Sequence, residues 1–231
     1  MKYYWLTNNI DPKIIGKYDQ SESAYNAPQL YDIGQNGEIT ENFIVPEPYV
    51  HPKAKLTSYL SSVPISNVKF LILKKEFIIF LKKFKIHEFQ TWDMRVHHKE
   101  KVINDYCLFH LGYTSQKKYV DYKNSEFYIG NVKDFKWIGE TIKVSDYENF
   151  LSTREVLRTQ KLMLKGNKLI LNFKEANEDL IRITDTPPIV GSKGYYISER
   201  LKNAIEKNGF TGMTFKEIEE IDNRKRIEVI Y

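Results

Sequence analysis

Residues 194–215 read Gly-Tyr-Tyr-Ile-Ser-Glu-Arg-Leu-Lys-Asn-Ala-Ile-Glu-Lys-Asn-Gly-Phe-Thr-Gly-Met-Thr-Phe, a strand, a capped helix and a second strand in succession. Ser198 stands where an N-cap is wanted, because its side-chain oxygen can take up an orphan amide of the first turn. Leu201, Ala204 and Ile205 fall on one helical face, and Gly209 occupies the position after the helix, where positive φ is needed. A fainter copy lies 124 positions earlier, at Lys69 to Phe89. There Phe77 matches Leu201, Phe80 matches Ala204, Leu81 matches Ile205, Ile86 matches Phe210 and Phe89 matches Met213. The first copy lacks both the Ser cap and the Gly stop. The pattern predicts an α+β fold with a mainly antiparallel sheet, a few packed helices and two related strand-helix-strand halves, bounded as residues 1–118 and 119–231.

Working outward, alternating residues in 92–97 and an apolar run from Tyr106 to Leu111 predict an antiparallel meander turning at Ile103-Asn104-Asp105. Ser145 with Glu148, and Ser152 with Glu155, fit the capping box, so helices are expected over 146–160. Leu162–Leu164 and Leu169–Phe173 predict a hairpin about Lys165-Gly166-Asn167. Strands are expected at Tyr3–Leu6 and Asp179–Thr184. Between the first strand and residue 55 the chain reads as an irregular arm, punctuated by five prolines, that drapes over the rest.

The 231 residues are enough to bury roughly 70% of the unfolded surface, so folding needs no staple. One cysteine, Cys107, permits no internal disulfide and reads as a buried thiol. The first residues offer too few apolar side chains for a signal peptide, which makes a cytoplasmic location the expectation. The most apolar run, Phe77–Leu81, is flanked by lysines and is too short to span a bilayer. Its aromatic stripe with lysines alongside also suits an interfacial membrane helix, but core packing with snorkelling lysines is the reading we adopt. The net charge of +5 is unevenly spread. Residues 1–50 carry 3 Lys/Arg against 7 Asp/Glu, whereas residues 51–118 carry 13 against 5. An acidic arm therefore precedes a basic middle.

Several constellations imitate catalytic or metal chemistry. His97, His98, Cys107 and His110 are the residue types zinc prefers, yet strand alternation sends Cys107 and His110 to opposite faces, as it does His97 and His98. Ser198 lacks the Gly-x-Ser-x-Gly context of a nucleophile elbow, and no histidine follows His110. Asp93 beside His97 reads as a surface hydrogen bond. No phosphate loop, His-Glu-x-x-His or Cys-x-x-Cys occurs. We expect no enzyme activity, no cofactor and no metal.

At Tyr195-Tyr196-Ile197-Ser198-Glu199-Arg200-Leu201, with Gly209-Phe210 and Phe215 after it, the chain resembles the immunity proteins of bacterial polymorphic toxin systems, of the eleventh or forty-third immunity type, formerly a domain of unknown function. The resemblance covers residues 176 to 220. It departs after Phe215, where the family tends to place a proline and this chain has Lys216-Glu217-Ile218, which leaves the subfamily and the class of toxin open. It implies an α+β protein that binds a cognate toxin stoichiometrically and silences it in the producing cell. The matching residues look structural. For the partner-binding surface we expect the arm, with Tyr25, Tyr31, Asp32, Glu38, Glu41 and Tyr49 as contact residues, an acidic tyrosine-bearing face suited to a toxin with a basic cleft such as a nuclease. The alternative is a nucleic-acid or other anion-binding module, through the basic middle around Lys99, Lys101, Lys117 and Lys118. Nothing in the sequence indicates the oligomeric state.

Overall fold

The computed structural model describes every residue except 32, 34, 35, 63, 64, 66–68 and 132–136, with the backbone alone at 31 and 137–140. Among these residues the chain forms 14 strands and 5 α-helices. The strands are β1 (Tyr3–Asn8), β2 (Ser21–Tyr25), β3 (Glu47–Val50), β4 (Tyr59–Leu60), β5 (Leu71–Lys74), β6 (Gln90–His98), β7 (Lys101–His110), β8 (Glu126–Asn131), β9 (Trp137–Ile142), β10 (Leu162–Asn172), β11 (Leu180–Ile183), β12 (Gly194–Ser198), β13 (Met213–Glu217) and β14 (Ile227–Ile230). The helices are α1 (Pro12–Ile15), α2 (Lys75–Leu81), α3 (Gln116–Tyr119), α4 (Tyr147–Thr159) and α5 (Glu199–Lys207). The strands make three sheets, ordered β11-β12-β1-β13, β14-β10-β8-β9 and β2-β3-β6-β7-β5-β4. Among the described strands only β3 with β6 and β10 with β14 pair in parallel, apart from isolated bridges at Ser21–Ser62 and Ile86–Leu180, so the expected α+β, mainly antiparallel class holds.

The sequence repeat is also a repeat of topology. β7 lies between β5 and β6 and runs antiparallel to both; β1 lies between β12 and β13 in the same way. Each unit is thus a pair of parallel strands joined by a helix, with an antiparallel strand slotted between them. An outer antiparallel strand flanks each, β4 on β5 and β11 on β12. The match extends to single hydrogen bonds. Tyr106 Oη donates to Thr57 O at 2.8 Å and Tyr3 Oη to Glu178 O at 2.6 Å, each acceptor two residues before the outer strand. Lys74 N donates to Ser58 O at 2.9 Å, and its counterpart Ser198 N to Asp179 O at 3.0 Å. The units also hold each other reciprocally, because Lys85 N donates to Asp179 Oδ2 at 2.8 Å while Thr211 N donates to Ser58 Oγ at 3.3 Å.

Three cores result. Phe77, Phe80, Leu81, Leu201 and Ile205 meet between the two units, with the Phe210 ring 4.8 Å from both Phe77 and Phe80. Strand alternation puts Tyr4 in this core and Tyr3 in the next, where β1 and β12 pack on Phe127, Leu169, Leu171 and Phe173 of the β8-β10 sheet and on Phe150 of α4. The third core lies on the other face of the six-stranded sheet. There Ala27, Leu30, Ile33 and Ile39 of the arm cover Ile72, Met94, Val96 and Leu108. Each fully buried Leu or Phe in these cores contributes about 2 kcal/mol relative to exposure. The stripe of α2 is therefore core, and no helix among the described residues is long and apolar enough to cross a membrane.

Four local expectations are corrected. The arm is not irregular throughout: it contributes β2 and β3 to the large sheet, a 3₁₀ turn at Ala27–Tyr31, and α1. The β6–β7 hairpin turns at Lys99-Glu100 rather than at 103–105, with φ of 48° and 50° at the two residues, the signature of a tight hairpin turn with both central residues left-handed. Residues 162–172 form one bulged strand, not a hairpin, because a Cβ at Gly166 would lie 2.7 Å from Ile189 Cδ1; the glycine admits the Pro187–Ile189 loop against the sheet. Finally α4 is a single helix capped by Asp146, whose side chain accepts from Asn149 N at 2.8 Å, while Ser145 Oγ donates to that same carboxylate.

Candidate partner-binding groove

The arm residues expected at the interface are dispersed by folding. Tyr25 and Tyr49 are 66% and 49% exposed on the face of the six-stranded sheet opposite the arm core. Strand pairing sets Tyr25 opposite Glu47, and Tyr49 opposite His97. The Tyr49 and His97 rings stack at 4.5 Å, and Glu47 takes both His97 Nε2 at 2.6 Å and Arg95 at 3.3 Å. Glu38 is exposed at the far end of β6, held there because the Gln90 amide donates to and accepts from the Ile39 backbone at 2.9 and 2.8 Å. Glu41 is exposed in a separate shallow depression with Phe43. Asp32 lies outside the described residues, and at Tyr31 only the backbone is described. The structure therefore joins Tyr25 with Tyr49 and leaves Glu38 and Glu41 apart from them.

Glu38 instead belongs to a groove of about 990 Å³ between the end of α2 and the loops at 37–38 and 112–113. Its floor is apolar, formed by Phe84, Ile86 and Phe89, all half-buried. Its rim carries two exposed carboxylates, Glu38 and Glu88, against Lys82. Gly37 and Gly112 shape one wall: Gly37 N donates to Gly112 O at 2.9 Å, and a Cβ at 112 would collide with Gly37 O. Such close backbone approach requires glycine.

At one end of the groove His87 lies against Tyr113, ring centroids 3.8 Å apart, with Nε2 3.4 Å from Glu178 Oε1. Glu178 is buried behind it. Burial by itself would raise this carboxyl, but hydrogen bonds from Tyr119 and Lys118, together with backbone amides, outweigh that and bring it down to about 2. Tyr119 is pushed up to about 12, chiefly by burial and then by Glu178. An ionised carboxylate, paired with the Lys118 ammonium at 2.9 Å, thus stands behind the histidine. The groove can receive apolar side chains on its floor and cations at its edge.

The constellations that imitate catalysis resolve into structure. Ser198 is fully buried; its Oγ accepts from Leu201 N at 3.1 Å and donates to Asp179 Oδ1 at 2.6 Å. Arg200 closes on the same carboxylate. Asp93 pairs with Lys75 at 3.0 Å and His97 with Glu47, so these two residues do not pair with each other. His110 is buried, its two ring nitrogens each 3.1 Å from a carbonyl oxygen, of Lys69 and of Gly37. Among the described residues no group of three or more His, Cys, Asp or Glu is placed to hold a metal ion. The basic middle is partly neutralised: Lys117 pairs with Glu148, Lys118 with Glu178 and Lys75 with Asp93.

His87, Glu88, Tyr113 and Glu178 escaped the sequence reading because they converge from three distant segments. One signal was available, the polar step Ile86-His87-Glu88 directly after an apolar helix. In comparison with known proteins, no family model and no curated protein matches the chain.

Proposed function

We propose that this chain is an immunity-type inhibitor that binds a cognate secreted bacterial toxin one to one and silences it in the cytoplasm of the producing cell. The observation that carries the reading is the groove between α2 and the arm, with its apolar, partly aromatic floor and its rim carboxylates Glu38 and Glu88, which suits a protruding toxin segment bearing apolar and cationic side chains. The resemblance of residues 176–220 to immunity proteins supports it, and the matching residues Ser198, Leu201 and Phe215 serve the fold, as inhibition by binding requires no catalytic group. Nucleic-acid binding through residues 51–118 has less support, since Lys75, Lys117 and Lys118 already have carboxylate partners.

The test is co-purification with the toxin encoded beside this gene, followed by association kinetics across salt concentrations. Replacing Glu38 and Glu88 together with Lys should slow association about tenfold at low salt and flatten its salt dependence, because rim charges act mainly on the encounter rate. An unaltered rate would place the interface elsewhere. Failure to form any complex with that toxin would remove the inhibitor reading itself.

A further inference from the structure

Residues 119–186 are electrically balanced and residues 187–231 carry 8 Lys/Arg against 7 Asp/Glu, so neither segment announces a charged surface. Folding makes one. The turn before β14 brings Arg224, Lys225 and Arg226 beside Lys168 and the buried Lys165 of β10. These cations border two adjoining depressions, of about 520 and 440 Å³, which share Tyr128, Arg224 and Arg226 on the wall between them. The acids nearby are largely committed: Asp222 takes the Arg226 guanidinium at 2.7 and 2.9 Å, Glu228 takes Lys168 at 2.6 Å, and Glu126 accepts from Asn167 at 2.8 Å. Arg224 and Lys225 are exposed and make no ion pair among the described residues.

The turn that presents them is rigid. Asp222 is buried; its backbone carbonyl accepts from Lys225 N at 2.8 Å and its carboxylate from Arg226 N at 3.0 Å. Lys225 is held at φ 50°, a conformation costly for a side chain with a Cβ. A further backbone bond, Leu169 N to Arg226 O at 2.7 Å, ties the turn to β10. Beside the cations Tyr128 is half-buried, and Pro188 and Val190 form an exposed apolar ledge. The exposed cations Arg224 and Lys225 at two linked depressions suit successive phosphates, and the Tyr128 ring with the neighbouring ledge suits the planar faces of bases.

We propose that this face, on the β14-β10-β8-β9 sheet, binds single-stranded nucleic acid, with Arg224 and Lys225 on phosphates and Tyr128 against a base. It is a surface separate from the groove at α2 and does not depend on the inhibitor reading.

The probe is a fluorescein-labelled single-stranded RNA of 12 nucleotides, titrated with the full-length protein by anisotropy between 50 and 300 mM NaCl. Two phosphate contacts predict a slope of log K against log salt of about −1.4. The double variant Arg224→Glu, Lys225→Glu, which alters only exposed side chains, should weaken binding at least tenfold at 50 mM NaCl and reduce that slope, with an unchanged melting temperature. Tyr128→Ala should weaken it about tenfold with the slope preserved, since it removes stacking and no charge. Absence of saturable binding, or a double variant that binds like the parent, would overturn the proposal. So would displacement of the RNA by poly-glutamate at equal charge concentration together with an inert Tyr128→Ala, which would make the face a site for acidic protein.

Discussion

Glu178 stays ionised in a buried position because Tyr119, Lys118 and backbone amides supply donors on every side that burial has stripped of water. With its folded value at about 2, below the unfolded range near 4.3, its contribution to stability is present above the unfolded value and is lost as pH falls through the folded one. We expect Glu178→Gln to be less stable than the parent at pH 7 by up to about 3 kcal/mol, the difference shrinking between pH 5 and 2. Urea unfolding across that range reads it directly. A difference that does not change with pH would mean the carboxylate's charge is not what stabilises. Ser198 combines two duties, so Ser198→Ala removes a cap and also a donor to buried Asp179, for a cost of about 2 kcal/mol rather than the 1 typical of a cap alone. A loss below 0.5 kcal/mol in urea unfolding would deny the serine both roles.

The helices α2 and α5 form an internal experiment, since one topology has been built with a proper N-cap and once without. Lys74 occupies the cap position of α2 with φ −63° and ψ 145°, nearly those of Ser198, but makes no side-chain cap bond. It also puts a cation at the positive end of a helix. Lys74→Ser should therefore stabilise the protein by about 0.5–1 kcal/mol, seen as a raised urea midpoint at constant slope. A neutral or negative effect would show that Lys74 earns its place through packing. These two units were the legible part of the sequence, because a strand, a 3.6-residue apolar stripe and a second strand are each encoded locally. Less was legible where the encoding is non-local. Pro48 argues against a strand, yet β3 lies inside the sheet because its neighbours β2 and β6 need little from that residue's missing amide. Gly166 looks like a turn and is a close-approach site. The groove could not be read at all, for Glu38, His87, Tyr113 and Glu178 are brought together by non-local bonds: Ile39 to Gln90, Gly37 to Gly112 and Lys85 to Asp179.

At the scale of the whole molecule, β1 is a central strand of a sheet whose other three strands, β11, β12 and β13, all lie between Leu180 and Glu217. β1 pairs with β12 and β13, Tyr3 standing opposite Ser198, and Tyr231 Oη reaches Tyr3 O at 3.2 Å. On a ribosome this order has a cost in time. β1 is made well before its partners, so at about 5–20 residues per second it waits on the order of 10–40 s with both edges open. The six-stranded sheet has no such delay, since its strands all lie between Ser21 and His110. We expect stalled nascent chains ending near residue 190 to resist protease across β5–β7 while remaining cleavable at β1, and full-length released chains to resist at both. Protection of β1 in the stalled chains would show that it finds a temporary partner during synthesis. Until β12 and β13 emerge, an aromatic segment stays edge-exposed on every growing chain, and quality control has long access to Tyr3 and Tyr4, which the finished protein buries.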